Sequence, residues 1–199
     1  YGGTGLKAAN GTLFNHAGTI TAAGGIGWNH SGRGGVAIEV KDWVNSAILN
    51  TVGGYSTMDV TGGGGFPMGG DGINVNDTIV NNVGGIITAT GGEGDMHTSC
   101  THAGMGGNGL VVGGIGSNYG ILNGFGGTAS NQSSGTSSGG IGMVYGGLVT
   151  NYESGQVLAK GGVPNSVGSS ARRGRSGTGS YSPLPPPTQT MDWNQRARV

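Results

Sequence analysis

The chain contains little charge, little proline and a single cysteine. Charged residues make up 9% of its 199 residues, against roughly 25% in an ordinary soluble domain. The lone Cys100 excludes an intramolecular disulfide framework of the kind found in small secreted folds. No apolar run approaches the ~18 residues that a membrane-spanning helix needs, so we expect no helical membrane span.

Glycine is the residue in excess, and its spacing reveals a repeat. The chain has 49 glycines, about a quarter of its length against roughly 7% in average usage. Each copy opens on Gly, reaches an Asn about ten residues later and closes on Gly-Gly after an apolar run. The copies span residues 5–34, 35–71, 72–108, 109–141 and 142–174. The cores measure 19–21 residues, whereas the segments after the closing glycines measure 9–17, as expected for solenoid coils that carry side loops.

Short β-branched runs separated by Gly and Asn indicate strands inside each copy. The third copy has Ile73-Asn74-Val75, Thr78-Ile79-Val80 and Ile86-Ile87-Thr88-Ala89, which are too short and too interrupted for helices. Three strands in about twenty residues would form one triangular turn, paired with the next turn at ~4.8 Å. We therefore predict an all-β, right-handed parallel β-helix of about five coils with variable Gly-rich side loops. Residues 95–105 are expected to form one such dispensable loop.

One asparagine recurs in each copy and is predicted to be structural. Asn tolerates the bend between strands, and its amide can form a ladder with the Asn of the next coil. The closing Gly-Gly pairs are expected to reverse the backbone through positive φ. The predicted ladder consists of Asn15, Asn45, Asn82, Asn118 and Asn151.

The last 25 residues differ from the repeats in charge and composition. Through Gly162 the chain has eight acids and four bases, a balance of −4, whereas five Arg and one Asp follow, a balance of +4. Proline-rich residues 182–187 indicate an extended segment. Residues 175–199 are thus predicted to be an arm on a neighbouring subunit, held by Trp193, Arg196 and Arg198, or a linker.

The side loops are the candidate binding surface, because loops on a rigid scaffold commonly carry function. Their aromatic, Met and His side chains suit contacts with a sugar or a protein. The alternative is that these side chains fold back over the solenoid. The candidate contact residues are Trp28, His30, Tyr55, Phe66, Met96, His97 and His102.

The sequence shows no complete catalytic or metal-binding motif. Gly69-Gly70-Asp71-Gly72-Ile73-Asn74 approaches a calcium nonapeptide but has Asn at the ligand position and occurs once. His97, Cys100 and His102 lack an evident fourth ligand. The acids are scattered, and no Gly-rich segment carries the Lys-Ser or Lys-Thr of a phosphate loop. We expect no catalysis, no metal, no cofactor and no nucleic-acid partner.

Residues 78–92, Thr-Ile-Val-Asn-Asn-Val-Gly-Gly-Ile-Ile-Thr-Ala-Thr-Gly-Gly, give the repeat in its fullest form, and Asn-His-Ala-Gly-Thr-Ile-Thr-Ala at 15–22 repeats the phrase. This pattern, over roughly residues 5–162, resembles the repeats of bacterial autotransporter passengers and related β-solenoid adhesins. The resemblance implies a secreted, non-catalytic stalk or adhesin. The chain is also similar to the glycine-rich tail-fibre-tip adhesins of T-even phages. It has more β-branched strand residues and fewer long Gly runs than those, so we expect a solenoid rather than a polyglycine sandwich.

These patterns favour an extracellular, cell-surface or virion-surface protein that is adhesive or structural. One alternative is a filament subunit that stacks end to end, and another is a phage tail receptor-binding adhesin. A solenoid enzyme acting on polysaccharide is disfavoured because no cluster of acids can be identified. Expected partners are neighbouring copies, further coils, or a cell-surface glycan or protein.

Overall fold

A computed structural model describes residues 1–28, 32–58, 67–96, 104–131, 137–166 and 180–181. Within these ranges the chain forms eighteen strands and no helix. The first two turns contain β1 (Leu6–Asn15), β2 (Thr19–Ala23), β3 (Ile38–Asn45), β4 (Ile48–Val52) and β5 (Ser56–Met58). The third contains β6 (Ile73–Val75), β7 (Ile79–Asn81), β8 (Ile86–Thr90) and β9 (Gly94–Met96). The remaining strands are β10 (Leu110–Val112), β11 (Gly116–Asn118), β12 (Ile121–Phe125), β13 (Ala129–Asn131), β14 (Met143–Tyr145), β15 (Val149–Asn151), β16 (Gln156–Lys160), β17 (Pro164–Ser166) and β18 (Ser180–Tyr181).

Every strand pairs in parallel with its counterpart in an adjacent turn. The first sheet has nine strands, the second runs β2-β4-β8-β12-β16, and the third runs β5-β9-β13-β17. Four turns contribute strands to all three sheets, and the first turn contributes β1 and β2. The predicted parallel β-solenoid is therefore confirmed, with a number of turns close to the five expected.

Each full turn from the third onward has four strands, whereas three were predicted. The additional strand is the one in the third sheet, such as β9, which the sequence analysis placed in a loop. Its residues, Gly94-Asp95-Met96, lack the β-branched character that marks the other strands. Pairing with β5 and β13 in the neighbouring turns gives this segment its strand conformation.

Alternation of side chains along the strands builds the core. Inward positions stack in register from turn to turn, and in the middle turns the stacked aliphatic side chains are 0–2% exposed. Burying each such side chain is worth roughly 1.5–3 kcal/mol, so the stacked positions supply the main stabilising force. The fully buried aliphatic positions are Ile38, Val40, Leu49, Ile73, Val75, Ile87, Leu110, Val112 and Leu122.

A buried ladder of asparagine amides runs along one corner of the solenoid. Each Nδ2 donates to the Oδ1 of the next turn, with distances of 2.9, 2.9, 2.8 and 2.7 Å. The same amides also donate to backbone carbonyls of the corner turns, for example Asn45 Nδ2 to Ala47 O at 2.8 Å. The ladder residues are Asn15, Asn45, Asn81, Asn118 and Asn151.

The prediction of Asn82 as a ladder member was wrong by one residue. Asn81 pairs with Asn45 in β3 and points inward at 1% exposed. Asn82 lies just beyond β7, half-buried, and donates from Nδ2 to Ser46 Oγ at 2.9 Å. Side chains alternate between the inner and outer faces of β7, so Asn81 faces the same side as the buried Ile79. A shift of the strand by one residue would place Asn82 inward but turn Ile79 out of the core.

A second continuous element is a column of glycine backbones, here called the glycine column. The chain passes through it twice per turn, once when it leaves the second sheet and once when it returns from the loop. Successive N–H groups donate to carbonyls at 2.7–2.9 Å, alternating between leaving and returning segments. In hydrogen-bonded order the column contains Gly3, Gly25, Gly35, Gly54, Gly70, Gly92, Gly107, Gly127, Gly140 and Gly162.

Close approach, rather than positive φ, explains why these positions are glycine. Among the described residues, positive φ occurs at Gly18 (86°) and Gly84 (79°), which lie in corner turns outside the column. A Cβ on Gly54 would overlap the carbonyl oxygen of Gly25 and lie 2.6 Å from the nitrogen of Gly35. The expectation that the Gly-Gly pairs reverse the chain through positive φ was therefore wrong.

The short strand β18 continues the first sheet beyond the fifth turn. Ser180 pairs with Met143 and Tyr181 with Val144, both in β14. These two residues belong to the segment 175–199 that was predicted to be an arm or linker. At this point the chain occupies the place of the first strand of a further turn.

Candidate binding edge at the loop bases

In the described part of the chain, the side loops of the first four turns leave and return at one edge of the solenoid. They depart from the third sheet, whose first-turn counterpart is the bridge between Gly27 and Ser56. They return through a second set of parallel bridges, which joins consecutive turns immediately before the glycine column. We call the third sheet and these return positions the loop edge; the return positions are Arg33, Met68, Met105 and Ser138.

A buried carboxylate connects the loop bases of three turns. Asp95 in β9 is 9% exposed and accepts a hydrogen bond from the Tyr55 hydroxyl at 2.6 Å. Ser130 Oγ donates to the other Asp95 oxygen. In the same region Ser56 Oγ donates to Gly32 O at 2.5 Å. Because Tyr55, Asp95 and Ser130 belong to three consecutive turns, these hydrogen bonds connect the base of the edge from turn to turn.

The returning segments have a corresponding side-chain ladder. The Asn108 backbone N–H donates to Asp71 Oδ1 at 2.9 Å, and the Ile141 N–H donates to Asn108 Oδ1 at 3.1 Å. Burial raises the pKa of Asp71, an effect that the Asn108 N–H and the positive charge of Arg33 partly oppose. Asp71 and Asn108 thus play equivalent structural roles in consecutive turns, one ionisable and one neutral.

Large apolar side chains are exposed beside this edge. Trp28 is 65% exposed, and Ile26 and Val163 are each 52% exposed. Ile26 and Val163 come directly after the closing glycines of the first and last turns, and Trp28 follows the bridge residue Gly27. Exposed aromatic and aliphatic groups next to variable loops are suited to a binding contact.

The structure separates the predicted contact residues into different roles. Trp28 is exposed and available for contact, whereas Tyr55 is half-buried and its hydroxyl binds Asp95. Met96 lies in β9, and its side chain is outside the described part of the structure. The other predicted contact and arm residues lie outside the described ranges: His30, Phe66, His97, His102, Trp193, Arg196 and Arg198.

Sequence reasoning missed Asp95, Ser130 and the Asp71–Asn108 pair. The available signal was the repeat register, because Asp95 and Ser130 each lie three residues after the second glycine of their copy's closing pair. Aligning the copies on those pairs would have placed the two side chains in one column. The predicted dispensable loop 95–105 also changes, because residues 95 and 96 lie in β9 and Met105 forms a return bridge.

A second surface feature lies at the asparagine corner, away from the loop edge. The rings of Tyr119 and Tyr152 stack with centroids 4.0 Å apart and an interplanar angle of 9°. Beside them a shallow groove of about 280 Å³ is lined by Val83, Ser154 and Gln156 among others. The stack arises because Tyr follows the ladder Asn in two consecutive turns.

The described residues contain no group of three His, Cys, Asp or Glu side chains placed to hold a metal ion. They also contain no helix long and apolar enough to cross a membrane. Comparison with family models, with curated proteins and with solved structures gives no match for this chain. The geometry of the loop edge therefore carries the functional argument.

Proposed function

We propose that this chain is a non-catalytic β-solenoid that acts at a cell or virion surface and binds a surface glycan or protein through its loop edge. The observation that supports this function is the common anchoring of the loops. In successive turns, each loop begins at the third sheet and ends at the column of return bridges. The bases of segments that differ in length and sequence thereby lie side by side on one edge.

A fixed base that carries loops of variable length and sequence favours binding at this edge. The glycine column, the Asp95 network and the Asp71–Asn108 ladder fix the backbone where each loop begins and ends. A preorganised base lowers the entropic cost of binding. Trp28 adds a rigid aromatic surface that can stack on a sugar ring or enter a protein interface. Such binding requires no cofactor.

The test uses fluorescently labelled protein on a glycan array and on intact cells. Trp28→Ala should weaken binding, because it removes a largely exposed aromatic side chain beside the loop edge. Phe14→Ala is the matched control, since Phe14 is also an exposed aromatic at 55% but lies in β1, outside the loop edge. Both variants should keep the wild-type circular dichroism spectrum.

Equal binding by wild type and Trp28→Ala would remove Trp28 from the proposed contact. A further variant combines Trp28→Ala with replacement of residues 97–103 and 132–136 by short Gly-Ser linkers. If this variant still binds, the loop edge is not the binding surface. Loss of binding in Phe14→Ala alone would place the contact on the first sheet.

A phage tail adhesin is a second candidate, favoured by the glycine column. The resemblance to glycine-rich phage tips implies closely packed glycine backbones, and this chain contains such a packing in its column. In that case the bound surface is a bacterial envelope. Binding to purified lipopolysaccharide or outer-membrane protein, without binding to other cell-surface glycans, distinguishes this candidate.

A further inference from the structure

The two ends of the solenoid leave core side chains only partly covered. At the first turn Leu6, Leu13 and Ile20 are half-buried, whereas their counterparts one turn on, such as Ile38 and Leu49, are 0% exposed. At the last turn Val157 and Ala159 pack against the core but are likewise half-buried. Among the described residues no strand pairs with the outer edge of β2 or of β16. Such edges are templates for pairing with another chain.

The two edges match each other in length and register. In the second sheet every strand has five residues, including the outermost strands β2 and β16. Neighbouring strands of this sheet pair residue for residue over all five positions. A second copy placed with its β2 against β16 would therefore continue the sheet without a change of register.

The asparagine ladder gives the two ends complementary polarity. Each ladder Nδ2 donates toward the C-terminal end, from Asn15 to Asn45 and finally from Asn118 to Asn151. Asn151 Nδ2 donates to Gly155 O at 2.8 Å, and an amide nitrogen carries a second hydrogen. At the other end, among the described residues, no donor reaches Asn15 Oδ1. Asn151 of one copy can thus donate to Asn15 of the next.

The strand β18 occupies part of the same end. It pairs with β14 through Ser180 and Tyr181, at the edge where the first strand of a following copy would pair. The register column to which Ser180 belongs begins with Leu6 in β1. In chain order its members are Leu6, Ile38, Ile73, Leu110, Met143 and Ser180.

We propose that the C-terminal end of the solenoid docks the first turn of a second copy of this chain, and that β18 blocks this site by pairing with β14. The contact is head to tail, so its repetition gives an open filament rather than a closed dimer. β18 and the Leu6–Ala8 segment of a second copy compete for one edge, so displacement of β18 permits stacking. This interaction uses the ends of the solenoid and is independent of binding at the loop edge.

The first experiment weakens β18 within the full chain. S180P/Y181P removes two backbone N–H groups from this strand, and proline is poorly tolerated in a paired strand. The control T188P/T190P adds the same number of prolines further along the tail, outside the described residues. Sedimentation velocity over a range of concentrations should show an increase in average mass of about two-fold or more for S180P/Y181P only. Electron microscopy should show rods of constant width.

The second experiment changes the junction itself in the S180P/Y181P background. Asn151→Asp keeps the acceptor for Asn118 Nδ2 but presents a carboxylate to Asn15 Oδ1 of the next copy, so stacking should be lost. Thr150→Asp is the matched control, because it adds the same charge one residue earlier in β15, on the face opposite to that of the ladder residue Asn151. It should leave stacking unchanged.

Unchanged mass in S180P/Y181P, with a wild-type circular dichroism spectrum, would overturn the proposal. Unfolding of S180P/Y181P would also overturn it, because a blocking strand should be dispensable for the core. Stacking that persists in Asn151→Asp would show that the rods form by a different contact.

Discussion

Replacing one glycine of the glycine column should destabilise the whole solenoid. Gly54 is buried where the chain leaves the second sheet, and its N–H donates to Gly35 O at 2.7 Å. A Cβ there would lie 2.6 Å from the nitrogen of Gly35 and 2.9 Å from the carbonyl carbon of Gly25. Ordinary contact between such atoms needs roughly 3.5 Å. Because both neighbours are backbone atoms, no side-chain rotation can relieve the overlap.

The cost follows from the hydrogen bonds that must open. A shift that admits the methyl group separates Gly54 from Gly35 and disturbs the adjacent bonds from Gly70 to Gly54 and from Gly35 to Gly25, at 2.9 and 2.8 Å. Leaving a buried polar group unpaired costs about 1–3 kcal/mol. Gly54→Ala should therefore lower the free energy of unfolding by about 3–5 kcal/mol, even after the gain of about 0.4–1 kcal/mol from a less flexible unfolded chain.

Gly3→Ala is the matched control for this measurement. Gly3 belongs to the same column, but a Cβ on it meets nothing within 4 Å. Urea unfolding followed by circular dichroism should show Gly3→Ala at or slightly above wild-type stability, since only the unfolded-state effect remains. If Gly54→Ala lies within about 1 kcal/mol of Gly3→Ala, the close approach of backbones is not what requires glycine here.

Two further substitutions test the side-chain ladders. Asn81→Ala should lower the free energy of unfolding in urea by about 3 kcal/mol or more, because it leaves the Asn118 side-chain oxygen and an Asn45 side-chain N–H without buried partners. Asn82→Ala should lower it by under about 1 kcal/mol. Similar values for the two variants would contradict the assignment of Asn81 to the ladder. Because burial raises the pKa of Asp71, its contribution to stability is fully present below about pH 4 and is lost as pH rises through the folded pKa. Asp71→Asn should remove this loss and stabilise the chain at neutral pH, which thermal melts from acidic to neutral pH would measure; an unchanged pH profile would contradict the assignment.

The period of the repeat could be predicted from sequence because glycine, asparagine and β-branched residues mark the same points in every turn. The exact ladder residue in the third turn could not be read from spacing. The step from the ladder Asn to the next strand is three residues at Asn45 and five at Asn151, so the corner turns differ in length. Asn81 is identified as the ladder member once Ile79 is known to point inward, because residues two apart in a strand share a face.

The glycine column was harder to predict because it joins segments that a variable loop separates. Gly54 and Gly70 are hydrogen-bonded neighbours, yet their separation in sequence has no counterpart of equal length in the other turns. The third sheet was missed for a related reason, since strands such as β9 have weak local propensity and depend on pairing. Packing of residues 175–199 on a neighbouring subunit stays a prediction. The pairing of β18 with β14 gives the first part of that segment a contact within its own chain.

The glycine column also explains why variation is concentrated in the loops. Each turn crosses the column twice, and at every column position except Gly3 a side chain would meet neighbouring glycine backbone, as Gly54 and Gly35 both show. The strands between crossings are fixed by inward packing and by the asparagine ladder. The segments between departure and return at the loop edge contain no residue of the column or of the asparagine ladder. Since loop length carries a small entropic cost, the loops can differ in length and sequence from turn to turn while the stacked backbone stays the same.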